Sequence, residues 1–320
     1  MNWKTPRYEE FSLKYGGFMI YTVTLNPSID YIVKVNDFCI GAVNRAEREL
    51  AVPGGKGINV SVMLTRLGVE NTALGFLAGF TGEEIRRAIR ARGCREDFIL
   101  LSEGFSRINV KLKAGEETEI NGNGPVITEA DREALLQKIM ALRQGDILVL
   151  SGSVPRCVPQ TVYRDIMQAM AGKGVRIVVD ASGALLRDVL PCGPFLIKPN
   201  HHELAALFGA SVETRADAAL YAQKLQQMGA RNVLVSMAEK GAVLVTENGD
   251  VLECDAPHGR VINSVGAGDS MVAGFLTGYQ NGSDFAKALR LGIAAGSASA
   301  FSDDLAERED VLALYERIKL

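Results

Sequence analysis

The sequence predicts an α/β fold, a mainly parallel central sheet between two layers of helices, with a second, small β-sheet set over one edge. Three observations lead there. Six short runs rich in Val, Ile and Leu (19–25, 72–77, 146–151, 175–180, 195–198 and 232–237) are apolar on both faces, the pattern of buried parallel strands. Helical stretches separate them, and this alternation builds a parallel sheet covered on both sides. Two segments, 31–52 and 106–121, break the rhythm with period-2 alternation. A small sheet made from them cannot bury both of its faces alone, so it should cover a ligand, a second subunit, or both.

The elements follow in chain order. Residues 1–18, MNWKTPRYEEFSLKYGGF, are charged and lack the apolar core of a signal peptide, so they read as an extension ahead of a domain spanning 19–320. The first strand, MIYTVTL, ends in Asn26-Pro-Ser-Ile-Asp30. The first period-2 segment leads to Pro53-Gly-Gly-Lys-Gly-Ile-Asn59, a glycine loop entering the helix NVSVMLTRLG. It is not a P-loop, because no Ser or Thr follows the lysine and no buried strand precedes it. A plain turn with a solvated lysine fits it equally well. Thr81-Gly-Glu-Glu84 reads as a capping box opening EEIRRAIRARG, with Gly93 as the stop. In the second period-2 segment, Lys-Ala-Gly-Glu-Glu is a hairpin turn between RINVKLK and TEIN. Thr128 precedes the helix EADREALLQKIMALR, ended by Gln144-Gly145. Ser151-Gly-Ser153 and Lys198-Pro-Asn-His-His-Glu203 follow later strands, at the carboxyl ends where open α/β sheets bind ligands. Asn200 and Glu203 have the spacing of one helical face, and equally that of a helix cap.

The run Val-Gly-Ala-Gly-Asp-Ser at 265–270 opens onto MVAGFL, the start of a buried helix. Its glycine steps leave backbone N–H groups free to face an anion, and the helix N-terminus adds positive potential. Asp269 sits inside that turn, where its charge works against an anion. The conflict resolves if Asp269 is a base that takes a proton from a hydroxyl attacking a phosphorus held by the N–H groups. An Asp favoured in the first turn by the helix dipole alone is the other reading.

Composition removes several classes of function. The formal charge is −3, from 35 basic and 38 acidic residues mixed along the chain, and no basic stripe suits a nucleic acid. Five dispersed cysteines (Cys39, Cys94, Cys157, Cys192, Cys254) contain no Cys-x-x-Cys pair, which argues for a reducing, cytoplasmic setting and against a disulfide framework or zinc site. No apolar stretch approaches the roughly 18 residues that cross a bilayer. His201 and His202 are adjacent and would face different ways on a helix, and His258 is isolated.

Taken together, PGGKGINVS, KPNHHEL, VSMAEKGA and NSVGAGDSMVAGF, in that order, resemble the PfkB (ribokinase-like) family of carbohydrate kinases over residues 19–315. TLNPSIDY, AGFTGE, SRINVKLKAGEETEINGNGP and KPNHHE are most similar to its bacterial 1-phosphofructokinase branch, with tagatose-6-phosphate kinase the nearest sibling. The resemblance implies a ribokinase-like three-layer α/β/α fold with a β-sheet lid, and ATP and Mg²⁺ as cofactors. It makes Asp269 the catalytic base and the N–H groups of Gly266, Ala267 and Gly268 the anion hole. Asp30, Gly54, Gly55 and Asn59 would hold sugar hydroxyls, with Ser153 beside them. Asn200 and Glu203 would organise Mg²⁺ through water; Lys198, Ser236 and Gly241 would lie along the nucleotide, and Ser264 just ahead of the anion hole. Ser236-Met-Ala238 departs from the family's Ser-x-Gly. Lys56 and Arg107 beside the sugar pocket suit a phosphorylated acceptor, since Arg binds phosphate bidentately. A solvated edge-strand charge is the plainer reading of Arg107. Arg45 is a third candidate, from a neighbouring subunit. The implied reaction moves the ATP γ-phosphoryl group to the C6 hydroxyl of fructose 1-phosphate. Tagatose 6-phosphate or fructose 6-phosphate are the alternative acceptors, and a non-catalytic sugar-phosphate-binding regulator is the alternative outside enzymes. A homodimer joined through the lid is expected.

Overall fold

The computed structural model describes residues 18–280, 282 and 284–319, so the expected N-terminal extension falls, but for Phe18, outside the described residues. In chain order, β1 (Ile20–Thr24) is followed by β2 (Ser28–Lys34), β3 (Arg48–Gly54), α1 (Lys56–Arg66), β4 (Asn71–Ala78), α2 (Gly79–Ala91), β5 (Arg95–Glu96) and β6 (Ile99–Leu101). Next come β7 (Arg107–Ala114), β8 (Glu116–Asn121), α3 (Glu129–Met140), β9 (Ile147–Ser151), α4 (Val162–Ala169), β10 (Arg176–Asp180) and α5 (Gly183–Val189). The last part holds β11 (Leu196–Ile197), α6 (His201–Phe208), α7 (Arg215–Gln227), β12 (Asn232–Ser236), β13 (Ala242–Val245), β14 (Val251–Cys254), α8 (Ala267–Gln280), α9 (Phe285–Ala300) and α10 (Arg308–Tyr315).

The large sheet has the order β14-β13-β12-β11-β10-β9-β1-β4-β5, with β6 also on β4. It is parallel from β12 to β5, and β13 and β14 add an antiparallel edge. Period-2 alternation divides its side chains between two cores. Ile20, Ile147, Val149 and Val178 face one apolar cluster with α1, α8 and α9. Val23, Leu148, Leu150, Ile177 and Val179 face another with α3, α4, α6 and α7. The inner strands β1, β4, β9, β10, β11 and β12 are buried on both sides for that reason, as their composition requires, while β14, β5 and β6 lie at the exposed margins.

The small sheet has the order β3-β2-β7-β8, with β2 and β7 parallel and both outer pairs antiparallel. Gly115, with φ 81°, makes the tight turn between β7 and β8 in the expected Lys-Ala-Gly-Glu-Glu. β2 leaves the carboxyl end of β1 and β3 feeds directly into α1, so this sheet is tethered to the mouth of the large one.

Three local expectations are corrected. Thr81 does not cap α2: the helix begins at Gly79 after Ala78, with no side-chain cap. Its hydroxyl instead donates to the Ser106 carbonyl at 2.6 Å, pinning the approach to β7. α3 ends at Met140, ahead of Gln144, while its start is the full capping box of Thr128 and Asp131. α1 starts at Lys56 rather than at Asn59, because Gly55, at φ 126°, turns the chain straight from β3 into the helix.

Candidate active site

The carboxyl ends of β1, β9, β10, β11 and β12, the tethered lid and the N-terminus of α8 surround one cleft with two joined lobes. The first, about 390 Å³, is lined by Ser28, Asp30, Asn59, Asn109, Lys198, Asn200, Ser236, Gly266, Gly268 and Asp269. The second, about 350 Å³, is lined by Thr24, Asn26, Ser151, Gly152, Ser153 and Asp180. Gly55, Lys56, Arg107 and Glu203 line both.

Asp269 stands in the first turn of α8 and is 5% exposed. Its Oδ2 accepts a hydrogen bond from Asn59 Nδ2 at 2.8 Å. Burial, reinforced by the negative charge of Asp180, pushes its carboxyl up to about 6, against the opposing pull of Lys56, Asn59 and Lys198. A carboxylate so placed is a competent proton acceptor near neutral pH. Gly266 turns the chain into α8 with φ 78°, and Ser270 N–H closes the first helical turn on the Gly266 carbonyl at 2.8 Å. Gly268 lies in the first turn of α8, whose N–H groups lack intrahelical partners, and lines the cleft. Ala267 differs from expectation: its N–H points back to the Ser264 carbonyl at 3.3 Å, which also gives Ser264 its place as a brace behind the turn.

Asp30 lies on the cleft face of the lid. Its Oδ1 accepts from Ser28 Oγ at 2.7 Å and Asn109 Nδ2 at 2.9 Å, and Lys111 Nζ is 3.5 Å from Oδ2. Gly54 presses on this cluster, since a Cβ there would lie 2.6 Å from Asp30 Oδ1. Arg107 donates through Nε to the Asn26 carbonyl at 3.0 Å. Burial holds its guanidinium below the ordinary arginine range, offset in part by Asp30. Lys56 Nζ is 3.1 Å from Asp180 Oδ1 and Lys198 Nζ is 3.6 Å from the same oxygen. Burial would lower Lys56, but Asp180, Asp269 and Glu203 outweigh it and hold the ammonium charged.

Asn200 caps α6 and does not ride on it: its Oδ1 accepts from Glu203 N–H at 2.8 Å, while Glu203 Oε2 accepts from Asn200 N–H at 2.9 Å. The cap fixes both side chains at the cleft wall and leaves Glu203 Oε1 outside the reciprocal pair. Among the described residues no cluster of three or more His, Cys, Asp or Glu could hold a metal directly. The donor set therefore fits an ion that arrives with its waters on a phosphate chain.

Five expected residues fall outside the lining of both lobes: Gly54, Ala267 and Ser264, whose places are given above, and Gly241 and Arg45. Gly241 follows β12 in the turn to β13, where a Cβ would lie 2.0 Å from the Cys254 carbonyl, so close backbone contact explains that glycine. Arg45 sits on the exposed connection between β2 and β3. In the other direction, Asp180, Lys111, Asn109 and Ser28 were not singled out by sequence. Asp180 had one signal, a charge ending the apolar strand VRIVVD level with Ser151. Lys111 joins Asp30 only through the β2–β7 register, which sequence does not display.

A model of the pfkB family of carbohydrate kinases matches residues 23–308. A 1-phosphofructokinase of Bacillus subtilis is 48% identical over 302 residues, covering 94% of this chain and 99% of its own. A D-tagatose-1-phosphate kinase of Bacillus licheniformis is 39% identical, covering 90% and 95%. The crystal structure of Escherichia coli phosphofructokinase-2 in complex with fructose-6-phosphate superimposes with a TM-score of 0.86 at 28% identity, covering 94% and 99%. With its three-layer ribokinase-like fold and lid, the chain belongs to the pfkB family of carbohydrate kinases, which are ATP-dependent phosphotransferases.

Proposed function

We infer that this chain transfers the γ-phosphoryl group of ATP to the C6 hydroxyl of fructose 1-phosphate, giving fructose 1,6-bisphosphate and ADP. The observation that carries the reading is the pair of cations, Lys56 and Arg107, shared by both lobes. A neutral sugar needs no such pair; an acceptor with its own phosphate does. With the reacting hydroxyl at Asp269, that phosphate falls toward Ser153, Lys56 and Arg107. The 1-phosphofructokinase relative, covered over almost its whole length, favours C1 as the phosphorylated carbon.

In this reading Asp30 orients the sugar with its lid partners, and Asn59 holds the Asp269 carboxylate toward the C6 hydroxyl. Asp269 takes the hydroxyl proton as the oxygen attacks phosphorus in line. The N–H groups of Gly266 and Gly268 and the Lys198 ammonium neutralise the transferring group, with donors fixed before the reaction starts. Mg²⁺, carried by ATP and held through water by Asn200 and Glu203, would supply further charge neutralisation. Ser236 borders the nucleotide side. Closure of the lid keeps water from the attacking position. A second copy of the chain, packed through the lid, would bring Arg45 toward the acceptor phosphate, and the compartment is the cytoplasm.

The experiment is a coupled ADP-release assay with ATP and Mg²⁺ on fructose 1-phosphate, tagatose 1-phosphate, tagatose 6-phosphate and fructose 6-phosphate. Fructose 1-phosphate is expected to give the highest kcat/KM. The tagatose-1-phosphate kinase relative makes tagatose 1-phosphate the specific rival, and a higher kcat/KM for it would reassign the acceptor. Tight binding of a phosphosugar without turnover would point to a regulator.

A further inference from the structure

Asp180 has no place in the roles assigned so far, yet it sits under the junction of the two lobes. It closes β10, is 1% exposed, and lies level with Ser151 on β9. One oxygen, Oδ1, meets both Lys56 at 3.1 Å and Lys198 at 3.6 Å; the other, Oδ2, is buried with no hydrogen-bond partner. Burial would raise this carboxyl, but Lys198 and then Lys56 outweigh it and hold it ionised.

The two lysines belong to different halves of the reaction. Lys56 is the first residue of α1, directly after the acceptor loop, and its side chain is partly exposed. Lys198 is 5% exposed, and its Nζ would lie 3.1 Å from a Cβ on Gly268, against the anion-binding turn. Two ammonium groups gathered at one point repel each other, and an ammonium as buried as Lys198 is costly without a countercharge. A carboxylate shared by both settles the two positions together.

We propose that Asp180 is a positioning residue for both substrates, aiming Lys56 at the acceptor phosphate and Lys198 at the transferring phosphoryl group, and coupling the two because they compete for one oxygen. This rests on the phosphosugar-kinase reading. An acceptor phosphate that takes another face of the Lys56 ammonium, while Asp180 still aims it, loosens the Lys56 hold on the shared oxygen and gives Lys198 the larger share of it, fixed beside Gly268. Acceptor binding then organises the donor side without any movement of the backbone.

The test is a double-mutant cycle read by calorimetry of fructose 1-phosphate binding without nucleotide, so that chemistry and Mg²⁺ do not enter. Asp180→Asn and Lys56→Met should each weaken binding by about 10-fold or more, and the double variant should be no weaker than Lys56→Met to within about 3-fold, as for residues acting as one unit. A purely structural Asp180 would lower the Tm and the active fraction while leaving the Kd of the folded protein unchanged. An unchanged Kd, or multiplying losses in the double variant, overturns the proposal. Lys198→Met reads the same coupling should Asp180→Asn fail to fold. It should weaken phosphosugar binding several-fold by leaving Lys56 alone with Asp180; unchanged affinity there also overturns it. Wild-type protein that binds none of the four ketohexose phosphates overturns the reading beneath the proposal, an outcome distinct from additive losses.

Discussion

Asp269 is where the energetic conflict of the site concentrates. A buried carboxylate beside a second one, Asp180, is poorly placed for stability and well placed for accepting a proton. Asp269→Asn should lower kcat by about 10² to 10⁴, the usual scale for a general base. Steady-state kinetics with unchanged phosphosugar affinity would confirm it, and near-normal turnover would remove Asp269 from the mechanism. Because the carboxyl is raised to about 6, wild-type kcat/KM should fall as pH drops through that value, and the residual activity of Asp269→Asn should lack this limb. Stability carries the opposite sign. Between the unfolded value of 3.8 and the folded value of about 6, the folded chain holds a proton that the unfolded chain has lost. Stability from this group therefore declines as pH rises through that window, by up to about 3 kcal/mol once both states are ionised. Asp269→Asn should be the more stable protein at pH 7 by as much as about 3 kcal/mol, with the gain vanishing near pH 4. Urea unfolding at the two pH values measures this, and a less stable variant at pH 7 would contradict it.

Elements explain which parts of this site can be read from sequence. The strands MIYTVTL, DILVLS and VRIVVD are legible because a strand apolar on both faces has one comfortable location, the centre of a covered sheet. The glycine turn into α8 and the reciprocal Asn200–Glu203 pair are legible because cap chemistry is local. Lys111 and Asp180 are not, since each acquires its role from the register between strands far apart in sequence. Thr81 misleads for a related reason: its local signal is a cap, and the distant Ser106 carbonyl wins the hydroxyl. The tether between β3 and α1 yields an element-level prediction. A Cβ at Gly54 would come within 2.6 Å of both Asp30 Oδ1 and Ser28 Oγ, so Gly54→Ala must displace the Asp30 carboxylate, which we propose orients the sugar. Phosphosugar kcat/KM should fall by roughly 10- to 100-fold, the scale of a displacement near 1 Å, with the KM for ATP little changed. Equal rises in both KM values would place the damage elsewhere than at Asp30.

At the scale of the whole molecule the lid is unfinished. Alternation along its strands puts Asp30, Asn109, Lys111 and Glu119 on the cleft face. Val33, Val110, Leu112 and Ile120 are left for the opposite face, where Ile120 is 64% exposed. Ile40, at 90% exposed, and Val43 add exposed apolar side chains on the connection that carries Arg45. An apolar sheet face of this kind invites either aggregation or a specific partner, and a twin lid offers the same face in return. A homodimer through the lid would also move Arg45 from a solvated loop to the neighbouring acceptor site. If the lid joins two copies, the wild type should sediment as a dimer, and Ile120→Lys combined with Ile40→Lys as a monomer. The monomer should keep its fold by circular dichroism and lose phosphosugar affinity by about 10-fold or more, the cost of removing a charge-assisted phosphate contact together with lid support. Adding the inactive Asp269→Asn protein, which still carries Arg45 and an intact lid face, should not rescue the charged-lid variant, because the charged face cannot pair with it. The single variant Arg45→Ala, with its lid face untouched, should remain dimeric and lose phosphosugar affinity alone. Wild-type protein that sediments as a monomer at assay concentration with full activity would exclude the shared lid, and would leave Lys56 and Arg107 as the whole of the acceptor phosphate's cationic grip.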